Sequence, residues 1–257
     1  MKKIILILTA VMLLMTGCGT NYKIKDKIIV GLDESPIGYV DESGEIVGFE
    51  VDLAREAIKR AGSTAEFKII SWNEKEEELT GGKIDMIWNG LDITPERQEI
   101  MLFSKPYMDN WIVMVVIEGN PQRIYSETDL KGKIIGVKAG TTAEFYVKNT
   151  ANIKNIIKEL KTYDNDEKTF LALKAGETDV IICDVIVGRY ELVKHSNNFE
   201  ILPKTLGEIT EYGIGFRKND VELRDEIQKA FDSMVKDGTA KKISEKWFQA
   251  NIIKHGR

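Results

Sequence analysis

The chain has 257 residues, 36 Lys and Arg against 41 Asp and Glu, a formal net charge of −5 and only two cysteines. An acidic balance with no basic stripe excludes nucleic acid as a partner. Two cysteines exclude a disulfide framework, so a sizeable apolar core must hold the fold. The length suits two modest domains or one large one.

The chain opens with MKKIILILTAVMLLMTGC, two lysines followed by residues 4–15 without a charge. That run is too short to span a bilayer and suits the apolar region of a secretory signal. Leu14, Met15, Thr16, Gly17 and Cys18 resemble a bacterial lipoprotein cleavage box. The expectation is a signal peptide over residues 1–17, Cys18 lipidated, and an extracytoplasmic protein anchored to the cell membrane. An ordinary signal cut near Gly17 is the alternative. With Cys18 lipidated no internal disulfide is possible, and Cys183, inside DVIICD, reads as a buried thiol.

Strand-like and helix-like stretches then alternate. KIIVGLD reads as a buried strand, and VDLAREAIKRAG places Leu53, Ala54, Ala57, Ile58 and Ala61 on one helical face with Gly62 as the stop. AEFKII, KIDMIW, KIIGVK and TDVIICD are further short apolar runs, each followed by a loop or helix. DVELRDEIQKAFDSMVKDG is a long amphipathic helix and AKKISEKWF a shorter one. The charge run over residues 74–78 reads as a solvated helix face. This βα rhythm predicts an α/β protein with mostly parallel sheets flanked by helices. After Tyr107 the strand WIVMVVI opens a second βα series, and EYGIGFRKND reads as a strand returning from it. Two lobes follow: residues 18–108 with 212–257, and an inserted lobe over residues 109–211, joined by crossings near residues 108–110 and 210–212.

Such sheets bind ligands beyond the carboxyl ends of their strands, and three loop clusters fall there. In the first, Asn89, Gly90, Leu91 and Asp92 precede Thr94 and Pro95, a helix start, and then Arg97. A cation in a first helical turn opposes the helix dipole, so Arg97 needs another reason to be there. In the second, Lys138 to Glu144 reads KAGTTAE, and the helix opening at Thr141 and Thr142 can receive an anion on its free N–H groups. Either threonine can equally cap its own helix. In the third, Asp184 follows VIIC directly and reads equally well as a helix cap. As a set the clusters fit a free α-amino acid. Arg97 can hold a carboxylate through two parallel hydrogen bonds, and Asp184, with Asp92 assisting, can accept from an ammonium. The alternative for Arg97 is a surface pair with Glu96 or Glu99, a contact worth little.

GEIVGFEVDLAREA, WNGLDITPERQEIMLFSKPY, KIIGVKAGTTAEF, YGIGFRKND and DGTAKKISEKWF together resemble the bacterial extracellular solute-binding proteins of family 3, the amino-acid receptors of ABC importers. The resemblance covers residues 26–250. It implies a two-lobed type II periplasmic-binding fold with two hinge crossings. It also implies Arg97 and Thr142 at the ligand carboxylate, Asp184 and Gly90 at the ammonium, Asp92 near both, Thr141 and Asn89 beside them, and Trp72 as a pocket wall. Two departures stand out. Asp33 to Tyr39, DESPIGY, is shorter than the family's usual stretch and lacks its aromatic residue. Asp92 stands where the family usually has serine or threonine, and a second ammonium anchor is the role expected of it.

Side-chain walls expected from the sequence are Glu34, Ile37, Tyr39, Trp72, Trp88, Lys138, Glu144 and Glu211, several of them acidic, which suits a polar or basic amino acid, cystine included. The implied partners are a free amino acid, the permease subunits of an ABC transporter and, through lipid, the membrane; the protein is expected to act as a monomer without cofactor or metal. A lipid-anchored sensor and an enzyme resembling cyclohexadienyl dehydratases are the competing readings. Catalysis finds little support: His195 lies at a helix end and His255 in the tail.

Overall fold

A computed structural model describes residues 23–195 and 198–254. The expected signal peptide, Cys18 and His255 lie outside the described residues. In chain order the elements are β1 (Lys27–Leu32), β2 (Tyr39–Val40), β3 (Ile46–Val47), α1 (Phe49–Arg60), β4 (Thr64–Ile69), α2 (Lys75–Thr80), β5 (Met86–Ile87), α3 (Pro95–Ile100), β6 (Met101–Phe103) and β7 (Met108–Ile117). They continue as β8 (Ile134–Lys138), α4 (Thr142–Asn149), α5 (Ala151–Lys154), β9 (Glu159–Tyr163), α6 (Asp166–Lys174), β10 (Val180–Asp184), α7 (Val185–Lys194), β11 (Phe199–Tyr212), β12 (Gly215–Arg217), α8 (Val221–Lys236) and α9 (Thr239–Phe248).

Two five-stranded sheets result, ordered β4-β1-β5-β12-β6 and β11-β7-β10-β8-β9. The pairings of β1 with β4 and β5 are parallel, and those of β12 with β5 and β6 antiparallel, so only β12 opposes the other strands. In the second sheet β8 pairs in parallel with β9 and β10, while β7 runs against β10 and β11. The mostly parallel sheets expected from the sequence are therefore present, each with one reversed strand. Those reversed strands let the chain leave one sheet and return. Where β7 begins and β11 ends they lie side by side, with Thr210 opposite Asn110, Glu211 opposite Asp109 and Tyr212 opposite Met108.

Amphipathic spacing explains how the helices cover the sheets. Leu53, Ala54, Ala57 and Ile58 of α1 are fully buried and share one core with Ile28, Val30, Ile227, Phe231 and Met234. Each large apolar side chain so buried contributes about 1.5–3 kcal/mol. The helix ends at Ala61, and Gly62 turns the chain at φ 85°. The second sheet has an apolar layer on each face, one around Met114, Val137, Ile182 and Leu206, the other around Val115, Phe170, Ile181 and Phe199. These faces explain why its strands read as continuous apolar runs.

Two strands differ from the sequence expectation. KIDMIW yields only Met86–Ile87, because the Asp85 carboxylate accepts the Ile29 N–H at 2.9 Å, replacing a ladder bond. EYGIGF is divided between two strands: β11 stops at Tyr212 and β12 starts at Gly215, the chain changing sheets between them.

Candidate functional site

The loops beyond the carboxyl ends of both sheets meet across a narrow cleft. The first sheet contributes Ser35, Pro36, Ile37, Trp72, Asn89 and Gly90; the second contributes Lys138, Thr141, Asp166, Cys183 and Asp184; Tyr212 arrives at the end of the crossing strand β11. Both sheets thus build one chamber, because parallel strands deliver their following loops to a common edge.

The loop after β5 is held from behind. Asn89 accepts the Asp33 N–H at 3.1 Å and donates to Ser35 at 3.1 Å, which fixes the loop after β1 beside it. Gly90 adopts φ 60° and donates its N–H at 2.7 Å to Glu50, a carboxyl on the inner face of α1 that also receives the Tyr107 hydroxyl. Burial pushes the Glu50 carboxyl up to about 8, with the two donors working against it. Periodicity missed this residue, because an acidic side chain on a helix is read as outward facing.

Asp92 is buried, and its carboxylate receives three hydrogen bonds: from Thr142 Oγ1 at 2.5 Å, Thr210 Oγ1 at 2.5 Å and Asn110 Nδ2 at 3.0 Å. It therefore joins the first lobe's loop to the start of α4 and to both crossings. Against the expected second ammonium anchor, Asp92 is not among the residues lining the cleft, and three of its roughly four acceptor positions are taken; a joint between the lobes is the role this geometry supports. Thr142 likewise spends its hydroxyl on Asp92.

Arg97 is the third residue of α3, whose cap is Thr94 as the sequence predicted, with the Arg97 N–H donating to Thr94 Oγ1 at 3.3 Å. Its guanidinium donates to two neutral carbonyls, Asp92 O at 3.1 Å and Gly140 O at 3.2 Å, and its Nε forms a looser ion pair with Glu76 at 3.6 Å. The second bond crosses between lobes, and Lys75 Nζ donates to the same Gly140 oxygen at 2.9 Å. The lobes approach so closely here that a Cβ on Gly140, at φ 73°, would stand 2.7 Å from Asn73 Cα. Arg97, Thr142 and Glu144 face a separate groove with Ile100 and Phe145. Thr141 borders both this groove and the cleft. Thr141 itself caps α4, accepting the Glu144 N–H at 3.2 Å.

Asp184 behaves differently. It stands at the cap position of α7 yet makes no capping bond with its side chain. Oδ2 receives the Tyr212 hydroxyl at 2.6 Å, while Oδ1 is buried and has no hydrogen-bond partner. Burial, reinforced by the charge of Asp92, pushes this carboxyl up to about 7, with Tyr212 and the nearby Asn110 amide pulling it back; Asn110 makes its hydrogen bond to Asp92 and none to Asp184. A buried carboxylate oxygen without a donor is costly and marks a place where an external donor would bind. Cys183, beside it, is a buried free thiol, as its apolar surroundings suggested.

At the far end, Lys138 is almost wholly buried and ion-paired with Asp33 at 2.6 Å and Asp166 at 3.1 Å. Asp33 and Asp166 were not singled out from the sequence. The strand-end rule that pointed to Asp184 points equally to Asp33, which directly follows β1. Asp166 escaped it because ELKTY is too polar to be read as a strand.

Of the expected residues, Asp184, Gly90, Trp72, Asn89, Thr141, Lys138 and Ile37 line the cleft. Several do not. Tyr39 sits edge-on to Trp247, with ring centroids 6.4 Å apart, on the outer side of its loop. Glu34 is exposed. The Glu144 carboxylate turns back to accept the Gly140 N–H at 2.7 Å and to pair with Lys148. Trp88 packs inside the first core against Tyr107 and Phe231. Glu211 pairs with Lys254. His195 pairs with Glu191 at the end of α7.

Comparison with known proteins gives this arrangement its setting. L-cystine-binding protein TcyJ of Escherichia coli (strain K12) is 32% identical over 240 residues, covering 92% of this chain and 88% of that protein. The lysine/arginine/ornithine-binding periplasmic protein of the same organism is 28% identical over 98% of this chain and 99% of its own. Among solved structures, an ABC uptake transporter substrate-binding protein from Streptococcus pneumoniae with bound histidine superposes with TM-score 0.85 at 32% identity, covering 90% of this chain and 95% of that one. An ancestral arginine-binding protein bound to arginine gives 0.82 at 37% identity, covering 88% and 100%. These superpositions identify the fold as that of type II periplasmic-binding proteins. The family model of bacterial extracellular solute-binding proteins, family 3, matches residues 28–250, and this chain belongs to that family.

Proposed function

We propose that this protein captures a free L-amino acid outside the cytoplasm by closing its two lobes on it, and delivers it to the permease of an ABC importer. The lobes are residues 18–108 with 212–257, and residues 109–211; the adjacent crossings at residues 108–110 and 210–212 are the hinge. Cys18, freed by removal of residues 1–17, carries the lipid that keeps the receptor at the membrane. The cargo has a polar or basic side chain, and cystine belongs to that group.

The single observation that carries this reading is the buried, unpartnered Asp184 Oδ1 facing the cleft between the lobes. A ligand ammonium supplies the missing donor and, by its charge, restores the carboxylate to the ionised form. Gly90, with its N–H committed to Glu50, adds its carbonyl oxygen. Arg97 takes the ligand carboxylate. It exchanges two neutral carbonyl acceptors for a charged, bidentate one while Nε stays near Glu76, and charge-assisted bonds are roughly twice as strong. Thr141 and the backbone N–H of Thr142 lie alongside to complete the shell. Trp72, Ile37, Asn89 and Lys138 wall the side chain. Closure removes water from both poles and strengthens each contact, so ligand shifts the population toward the closed form.

A thermal-shift screen tests this, using protein unfolded and refolded to strip carried-over ligand, against the common L-amino acids and cystine. A micromolar binder at millimolar concentration stabilises by about 4 kcal/mol. A shift confined to one or a few L-amino acids is expected. A folded protein that responds to none of them contradicts the assignment.

A further inference from the structure

The acidic end of the cleft is not an open cation site. Lys138 Nζ lies 2.6 Å from Asp33 and 3.1 Å from Asp166, and 5.9 Å from the centre of the Trp72 ring. Two carboxylates and an aromatic face are what a guanidinium or ammonium at the end of a ligand side chain would seek. Here the protein's own ammonium has them, with its side chain 8% exposed. The same ring already carries a second lysine, Lys75, with Nζ 4.9 Å from its centre.

We infer that Lys138 is a built-in surrogate for a cationic ligand side chain, which narrows the polar-or-basic range proposed above: the receptor discriminates against arginine, lysine and ornithine. It accepts amino acids whose side chains end in a hydrogen-bond acceptor without net charge. This rests on the amino-acid reading of the cleft given above.

Counting Asp33, Asp166 and Asp184 against one lysine would suggest the opposite preference. Position decides. Asp184 is claimed by the ligand's own ammonium, and a second cation bonded to Asp33 or Asp166 must sit beside Lys138 with water excluded, where like charges repel strongly. Losing its proton does not relieve Lys138 of that repulsion. Burial depresses its basicity, but the charges of Asp166 and Asp33 outweigh burial and hold it above the ordinary lysine value. A lysine ammonium has three N–H donors, and the two ion pairs leave one for a ligand. A carboxamide, ureido or hydroxyl oxygen can take it, as can the distal zwitterion of cystine, which has no net charge.

Isothermal titration of the wild-type protein and of Lys138→Met decides this, with arginine, lysine and ornithine as the cationic set and citrulline, glutamine, asparagine, serine, threonine and cystine as the neutral set. Citrulline and arginine differ chiefly in charge. In the wild type the best neutral ligand is expected to bind at least tenfold tighter than the best cationic one. In Lys138→Met, Asp33 and Asp166 are left without their cation, and affinity for the cationic set should rise at least tenfold. A wild-type protein that binds a cationic amino acid as tightly as the best neutral one overturns the inference, and this arm stands even if the variant fails to fold. So does a folded variant that gains nothing for cations, whether or not it keeps its neutral ligand. Silence from every amino acid contradicts the amino-acid reading itself, and this inference with it.

Discussion

Asp92 and Asp184 follow strands of different sheets, and both carboxylates point toward the crossing segments. Asp92 has three donors distributed over both lobes and the hinge. Asp184 has one, from Tyr212, and an oxygen left bare. Both carboxylates sit in low dielectric, so the difference lies in satisfaction. A buried carboxylate fully supplied with hydrogen bonds belongs to the architecture, whereas one left short is poised for something that is not part of the chain. Of two aspartates with equal claims in the sequence, one is a joint and the other a receptor.

Opposite responses to substitution would sharpen this contrast, and matching responses would break it. The largest effect is expected from Asp184→Asn, which should weaken amino-acid binding by about 2–5 kcal/mol, as loss of one partner from a buried charge pair does. The thermal midpoint without ligand should hold or rise. Calorimetry with an amino acid and its deaminated analogue checks the cause, because only the former should lose affinity. Asp92→Ala should do the reverse, lowering stability by about 3 kcal/mol through donors left unpaired at roughly 1–3 kcal/mol each. Urea unfolding measures it, and a loss below about 1 kcal/mol would show that the joint bears little.

Smaller effects probe closure and the support behind Gly90. Gly140→Ala puts a methyl group against Asn73 Cα and so keeps the lobes apart. Affinity should fall about tenfold, near 1.4 kcal/mol, and the left-handed backbone at Gly140 should add a modest loss of ligand-free stability, about 1 kcal/mol. Ligand titration followed by intrinsic tryptophan fluorescence reads the first quantity and thermal unfolding the second. Glu50→Gln reads out against pH instead of affinity, as a flatter dependence of stability on pH. The Glu50 carboxyl is raised from 4.5 to about 8 in the fold, so the folded state binds this proton more tightly than the unfolded state. Its contribution to stability is therefore full at low pH and is lost as pH climbs from about 4.5 through about 8. Glutamine carries no such proton, and melting curves across that window should show the wild type declining more steeply than the variant.

Much of this was legible before any coordinates. Apolar periodicity located α1, α8, α9 and the strands β1, β4, β5, β7, β8 and β10, because those elements bury one face or two and must declare it in their composition. Strand-end logic found Asp184, Gly90, Thr141 and Lys138. What stayed hidden depended on partners distant in sequence. That Asp92 meets Thr142 and Thr210, 50 and 118 residues away, cannot be read from spacing. Nor can the inward turn of Glu50, which is stable only because Gly90 and Tyr107 come to it. Tyr39 and Trp88 were assigned to the cleft because aromatics near a site suggest walls; Trp247 and Phe231 claimed them instead. Arg97 was placed correctly on its helix, but its present acceptors are backbone carbonyls, a class of partner that sequence does not announce.

The central claim is that the Asp184 carboxylate receives the ligand's ammonium, and proton exchange on binding tests it most directly. Without ligand this carboxyl is held at about 7, so near pH 6 it is largely protonated. An ammonium beside it favours the ionised form, and binding must then expel the proton. Calorimetric titration of the cognate amino acid near pH 6, in two buffers of different ionisation enthalpy, should reveal release approaching one proton. That release should fade above pH 7 and be absent in Asp184→Asn, and affinity should rise with pH up to about 7 and then level. Tight binding with no proton release near pH 6, and with affinity flat across that range, would contradict the account.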